Sequence, residues 1–433
     1  MSQKQLTTSD VVPVVIGSSY NAYGVIRSFA EEGIRSILIT GRNKCFVQYS
    51  KYLEKHIVMT DVNQDELKFI EELIEFGKKL SPRRGMFFPT HDEQLSAIAR
   101  HKNELAPYYE FPFSDWEICA QIMDKAKFRS RCESLGIPTI KERLVSSVSE
   151  AVQCLETLRL PLIVKANSTN PRMIEKLGSK NELFRDVEAY EVYVRHYFDV
   201  LPEENLLVQE YIDDGGRMKP NVNCFSNKEG TLQCIHIAEK IRQYPPQTGT
   251  STAYMTVDLP TEEYKEIERY TQLILKSFQF YGLVGIEFTY DKRDKNYKII
   301  EMNPRSEFLN WLPTFRGQNL AVALYQYHLG SSVTIPFYPN KVQATMSVPF
   351  NDYFYAVYLN RLNYPQFAIT KCEWKHTLPH PTEHYGLTPK DMKPFLYAYL
   401  KSAWQGLNSY IRIKNKIPAT VRTMDYFLKR KRE

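Results

Sequence analysis

No run of apolar residues in this 433-residue chain approaches the roughly 20 that a membrane-crossing helix needs. The opening segment, MSQKQLTTSD, also lacks the apolar stretch of a signal peptide. Together these give the expectation of a cytoplasmic protein. Cysteine is sparse: the seven residues Cys45, Cys119, Cys132, Cys154, Cys224, Cys234 and Cys372 show no CxxC pair. That scatter and the odd total argue against a disulfide framework or a structural zinc site. The turn GSSYNAYG after the first apolar run lacks GxGxxG spacing, which removes a dinucleotide-binding reading. No Ser/His/Asp or Cys/His constellation stands out among the nine scattered histidines. An excess of basic charge is missing too, except at one end. From Arg412 onward there are eight basic residues against two acidic, as large an imbalance as the net +6 of the whole chain. The remainder is balanced, so general nucleic-acid binding is not expected. The tail instead suggests peripheral contact with anionic lipid, with Tyr426, Phe427 and Leu428 alongside the charge. A solvated terminus is the competing reading.

What is present is a long, aromatic-rich α/β chain. Hydrophobic residues make up 43% and charged residues 24%, as in globular proteins, and the length suggests two to three domains. From Val11 to about Phe113, apolar strands (VVPVVIG, IRSILIT, MFFPT) alternate with amphipathic helices, which implies a parallel sheet. Loops after its strands would carry Ser18, Ser19, Asn21 and the Thr90-His91-Asp92 corner. These residues suit either a ligand crevice or helix capping. Asp115–Gly136 reads as helical, with Lys125 inside it, and RLPLIVKAN as a strand ending near Lys165. LLVQEYIDDGG is a strand running into a glycine turn, and NLAVALYQYHLG a helix. Two aromatic-rich stretches, DYFYAVYLNRL and MKPFLYAYLKSAWQGLNSYI, read as helices of a C-terminal extension.

The chemistry concentrates in GLVGIEFTYDKRDKNYKIIEMNPRSE, Gly282–Glu307. Two alternating strands are joined by a charged turn at Asp291–Asn296, a hairpin pattern. Glu287 lies in the first strand, and Glu301, Asn303 and Arg305 end the second. Residues two apart on a strand share a face. Two carboxylates and an amide oxygen make an all-oxygen set suited to Mg²⁺ with room for phosphate. Arg305 would serve an anionic oxygen. A surface hairpin with solvated charges is the plain alternative.

In order, Asp124-Lys125, GIPT, PLIVKAN with Lys165, VQEYID and an acid-bearing strand followed by EMNPR resemble the ATP-grasp superfamily. The resemblance covers about Val11 to Gly330. Within it, VVIGSSYNAYGVIRSFAEEGI, QYSKYLEKHIV, PTHDEQLSAIARHKNEL and RQYPPQTGTSTAYMTVD are similar to the carboxylate–amine ligase group, which includes D-aspartate ligase-like enzymes. The resemblance implies an N-terminal parallel-sheet domain (1–114), a two-lobed ATP-grasp fold (115–334, lobes about 137–208 and 209–334) and a helical extension (335–433). It further implies that Lys125 and Lys165 contact nucleotide phosphates. Gln209, Glu210, Tyr211 and Ile212 would form the adenine segment, with Asp213 or Asp214 at the ribose. Glu287, Glu301 and Asn303 would hold Mg²⁺, or Mn²⁺ in its place. Arg305 and Arg242 would stabilise charge at the reacting group. The implied partners are a small-molecule carboxylate and an amine, such as an amino acid or a cell-wall or peptide precursor. The implied reaction passes through an acyl phosphate. A kinase on the same fold and a nucleotide-binding scaffold without turnover remain alternatives. One segment departs from the family pattern: ANSTNPRMIEKLGSK, where a glycine-rich lid is usual, holds a single glycine, Gly178.

Overall fold

The computed structural model describes residue 7 and residues 9–41, 44–166, 181–212, 219–246, 249–341, 343–348, 351–378, 382–383 and 387–414. Asp213, Asp214 and most of the glycine-poor segment lie outside these. The chain forms two compact units: residues 1–136, 219–288 and 301–410 make the first, and 137–218, 289–300 and 411–433 the second.

The first unit begins with β1 (Val11–Ile16), α1 (Tyr20–Glu31), β2 (Ser36–Thr40), β3 (Leu53–Val58), α2 (Glu66–Leu80), β4 (Arg84–Pro89), α3 (Asp92–Arg100) and β5 (Tyr109–Glu110). The five strands are parallel in the order β3-β2-β1-β4-β5. β1 is buried along its whole length, as its unbroken apolar run requires. β3, by contrast, is a polar edge strand, and LEKHIV carries too weak an alternation to be read from sequence. α2 starts where Asp65 accepts a hydrogen bond from the Lys68 amide at 3.0 Å, and buries Phe69, Ile70, Leu73, Phe76 and Leu80 on one face. Strand order reverses between β1 and β4, so the loops Gly17–Ser19 and Thr90–Asp92 flank a topological switch point, where ligands of such sheets bind. The helical stretch expected over 115–136 is two helices, α4 (Trp116–Met123) and α5 (Lys125–Ser134). Asp124 breaks it, because its carboxylate caps the amides of Ala126 and Lys127. Lys125 therefore opens a helix rather than lying inside one.

The second unit has an antiparallel sheet in the order β6-β9-β7-β8. Its elements are β6 (Glu142–Val145), α6 (Val148–Gln153), β7 (Leu162–Ala166), β8 (Asn181–Phe184), α7 (Val187–Val200) and β9 (Leu206–Glu210). Leu162, Val164, Leu206 and Val208 pack beneath Tyr190, Val194 and Tyr197 of α7. The tip of the central hairpin belongs to this unit. There Asp291, 1% exposed, holds Lys298 at 2.7 Å and Arg293 in a two-pronged pair, while Arg293 also reaches Glu210 at 2.7 Å. Burial alone would push the Asp291 carboxyl up, but Arg293 and Lys298 outweigh it and hold it well below the usual carboxylate range. Asp291→Ala is expected to destabilise this unit by about 2 kcal/mol, because it removes the buried carboxylate shared by Arg293 and Lys298, which keep only Glu210 and Asp294. The wild-type contribution is present above an unfolded-state pKa of about 4 and is lost as pH falls through the depressed folded value. Urea denaturation of both forms across that range checks it. Equal stabilities at neutral pH would refute it.

The first unit resumes with β10 (Lys219–Ser226), β11 (Leu232–Tyr244), β12 (Thr250–Thr256), α8 (Lys265–Phe278) and β13 (Gly282–Asp291). β14 (Asn296–Asn303), α9 (Leu320–His328), β15 (Thr345–Ser347), β16 (Thr382–Glu383) and α10 (Met392–Lys414) follow. A seven-stranded sheet runs β14-β13-β10-β11-β12-β15-β16. α9 buries Leu320 to Tyr325 against α1 and the first sheet, and the Tyr325 hydroxyl donates to the Val11 carbonyl at 2.7 Å. The stretch Asn351–Asn363 is helical with a π-helical turn in the middle, Tyr355–Leu359.

Candidate active site

The hairpin β13/β14 forms as the alternation predicts, and its root lies in the first unit. β10 pairs with β13 so that Asn221 stands opposite Glu287. Glu287 faces Lys240 of β11 at 3.7 Å. Glu301 and Asn303, both half-buried, end β14. Asn303 donates its side-chain amide to Glu307, and Asn221 donates to the other Glu307 oxygen at 3.0 Å. Glu307 lies directly over Gly285: a methyl group added there would fall 2.0 Å from the Glu307 carboxyl carbon. The glycine of GIEF is thus the space into which a buried acid folds. Burial first, then the charge of Glu287, pushes the Glu307 carboxyl up to about 7. Buried Tyr254 responds the same way: its hydroxyl is pushed up by burial and then by Glu287, Glu307 and Glu301. Three acids therefore crowd one patch with Lys240 as the cation paired to Glu287.

That surplus of negative charge fits a divalent cation. Among the described residues no group of three or more His, Cys, Asp or Glu side chains forms a ready metal cage. Mg²⁺ does not require one, since it is commonly held by one or two carboxylates together with substrate phosphates and water. Glu287, Glu301 and Asn303 meet that description.

Arg305 is fixed from the N-terminal sheet. Its guanidinium donates to Asp92 at 2.6 and 3.2 Å, to the Ser306 carbonyl at 3.2 Å and to Asn303 at 3.4 Å. Asp92 is the first residue of α3, whose N-cap is His91, so its carboxylate serves Arg305 instead of the helix end. On either side of Asp92, His91 and Glu93 line a cleft of about 220 Å³ with Ser18, Asp61 and Gln94, at the switch point of the parallel sheet. Gly17 bounds it with φ of +141°, a conformation that favours glycine. Asn21 ties the same region together, donating to the carbonyls of Thr90 at 3.0 Å and Ser306 at 2.9 Å.

Arg242 of β11 has a different setting. It makes a two-pronged pair with Asp352, closest approach 2.6 Å, and Asp352 also accepts from Thr252 at 2.7 Å and Trp374 at 2.8 Å. Lys125 is exposed at the start of α5. In the second unit, Lys165 donates to Gln209 at 2.8 Å, and Gln209 donates to Glu142, a row across β7, β9 and β6. Glu210 is buried and its carboxylate is engaged by the Arg159 amide at 3.1 Å and by Arg293. Its side chain anchors the hairpin tip, and β9 lies between β6 and β7, so Gln209 and Glu210 pair within the sheet and not at the edge that an adenine segment was expected to use. Tyr211 is half-buried and Ile212 buried. Sequence reasoning gave no role to Glu307, Asn221, Lys240 or Glu142. The signal for Glu307 was a glycine two residues before Glu287, and the other three have none.

Residues 124–309 match the family described as "Carbamoyl-phosphate synthase L chain, ATP binding domain". The chain is 22% identical over 326 residues to D-aspartate ligase of Enterococcus faecium (strain Aus0004), covering 73% of this chain and 76% of that one. It spans only 33% of a carbamoyl phosphate synthase section from Methanopyrus kandleri and 16% of a large chain from Clostridium acetobutylicum. Its fold is similar to the ADP complex of N5-carboxyaminoimidazole ribonucleotide synthetase, with TM-score 0.62 and 13% identity over 84% of this chain and 88% of that. It is also similar to the biotin carboxylase domain of Hydrogenobacter thermophilus 2-oxoglutarate carboxylase with MgADP and bicarbonate. There the TM-score is 0.59 and the identity 17%, over 77% of this chain and 73% of that. The fold is therefore ATP-grasp, preceded by a parallel-sheet domain. Residues 124–309 are similar to that ATP-binding domain, and the solved structures bear out the same fold.

Proposed function

We propose that the protein is an ATP- and Mg²⁺-dependent ligase that joins a small-molecule carboxylate to an amine, acting in the cytoplasm. The observation that supports this reading is the acid-crowded root of the hairpin, where Glu287 and Glu301 both act on Tyr254 and Asn303 accepts from Arg305. When bound there, Mg²⁺ would neutralise phosphate charge on ATP. Lys125 and Lys165 would add point charges to the phosphates. The substrate carboxylate attacks the γ-phosphorus, the bond to the β-phosphate oxygen breaks, and ADP leaves. The amine then attacks the acyl carbon, phosphate departs with the bonding pair, and the amine nitrogen loses its proton. The chain's own work is positioning and electrostatic stabilisation, which needs no protein nucleophile. Arg305, held by Asp92, would face charge developing on the transferred group. The neighbouring cleft, with Ser18, His91 and Gln94 beside Asp61 and Glu93, offers donors and anions together, as a zwitterionic amino acid requires. D-aspartate ligase among the relatives supports an amino-acid substrate. We take 1–114, 115–334 and 335–433 as the functional divisions of the chain.

Release of ADP should depend on both a carboxylate and an amine when a panel of amino acids and candidate carboxylates is screened. One amide should form per ADP. A stable phosphorylated product with no amide would replace this reading with a kinase.

A further inference from the structure

The last helix, α10, presents a surface that the ligase reading does not use. Between Met392 and Trp404 its exposed residues are Met392, Lys393, Leu396, Leu400, Lys401 and Trp404. Four are large and apolar, spaced by four residues, with exposures of 51% for Met392, 48% for Leu396, 70% for Leu400 and 65% for Trp404. Two are lysines and none is acidic. A spacing of four keeps side chains on one slowly winding stripe. Long apolar side chains in a row are not a normal solvent face for a helix.

The opposite side of α10 is pinned to the first unit, so the stripe is held outward. Asp391, at the start of the helix, is 2% exposed. It accepts hydrogen bonds from Ser50 at 2.5 Å, the Tyr23 hydroxyl at 3.1 Å and the Lys51 amide at 3.0 Å. Ala398 and Ser402 are buried, and the Tyr397 ring packs 5.6 Å from that of Tyr49. Asp391, directly before the helix, thus faces the body of the protein.

We propose that the exposed face of α10 docks the protein on an anionic lipid surface. Trp404, Leu400, Leu396 and Met392 enter the headgroup–acyl boundary while Lys393 and Lys401 extend to lipid phosphates. The charge pattern selects lipid over other coverings. The charged residues exposed on the helix between Met392 and Trp404 are both cations, Lys393 and Lys401, and the sequence from Arg412 onward carries eight basic residues against two acidic. Basic residues next to such a face are each drawn toward anionic headgroups. A second copy of this chain would bring the same lysines and no acid to meet them. Among the described residues no helix is long and apolar enough to cross a membrane. The proposal stands independently of the ligase reading.

The test is flotation of the full chain with vesicles of phosphatidylglycerol and phosphatidylcholine in equal parts, beside pure phosphatidylcholine. The wild type should float with the anionic vesicles and far less with the neutral ones. A Leu400→Glu/Trp404→Glu variant should lose at least about tenfold in vesicle partitioning. Its thermal midpoint should match that of the wild type, because both side chains are exposed. Absence of wild-type binding to anionic vesicles would overturn the proposal. So would undiminished binding by the double variant, which would assign binding to the charged tail alone. A wild-type dimer in sizing experiments that the double variant dissolves, without vesicle binding, would assign the face to a second copy.

Discussion

Glu301→Gln is expected to reduce ATP turnover by about a thousandfold while leaving the protein about as stable as before. The first half follows from the donor set. In the metal site proposed above, Glu301 would be one of two carboxylates for the cation, and an amide oxygen in its place would carry no charge to hold Mg²⁺ against water. Loss of a major electrostatic contact in the transition state typically costs factors of 10² to 10³. The second half follows from the balance of its neighbours. Glu301 raises the titration of both Glu307 and Tyr254 but supports the charge of Arg305, so removing its charge relieves one interaction as it weakens another. A fall in activity with a stable thermal midpoint would separate a binding role from simple damage to the fold. Full turnover in Mg²⁺ would sink the metal assignment.

Arg305→Lys is expected to lower kcat by about a hundredfold although it keeps the positive charge. Arg305 makes a two-pronged contact with Asp92 while also reaching the Ser306 carbonyl and Asn303. A lysine ammonium cannot reproduce that fork. Misplacing the charge by about an ångström is enough to lose such a factor. Asp92→Asn should show the same direction with a smaller drop, about tenfold, because the guanidinium stays but loses its orienting partner. If Arg305 acts on the transferred group, KM for ATP should change less than kcat in both variants. A change confined to KM would instead make Arg305 a ground-state binding residue.

Several features were legible because they depend on neighbours close in sequence. The alternation in GIEFTYD and YKIIEMN is a local property, and the hairpin formed with its turn at the charged residues. The helical spacing in the segments of α2 and α9 likewise needs only one amphipathic face. The ATP-grasp resemblance rested on short motifs in order, and order survives without any knowledge of packing. The edge strand β3 and the break at Asp124 were missed for an equally local reason. A polar edge strand lacks contrast between its faces, and one capping carboxylate can outweigh a continuous helical pattern.

The sequence by itself determined the parallel N-terminal sheet, the hairpin, and the set of acids, amide and arginine that ends it. Only the tertiary structure decided what each charged group is bonded to. Arg305 meets Asp92 across 213 positions, and Arg242 meets Asp352 across 110. Glu210, expected at the adenine, spends its carboxylate on Arg293 and the Arg159 amide, while Glu307 gains its place over Gly285. The physical reason is one of range. Periodicity and turn chemistry act over a few residues, whereas the partner of a charge is set by which strands and helices pack side by side. The hairpin at Gly282–Glu307 could announce its chemistry in sequence. Its crowding of negative charge exists only once β10, β11 and β13 lie together.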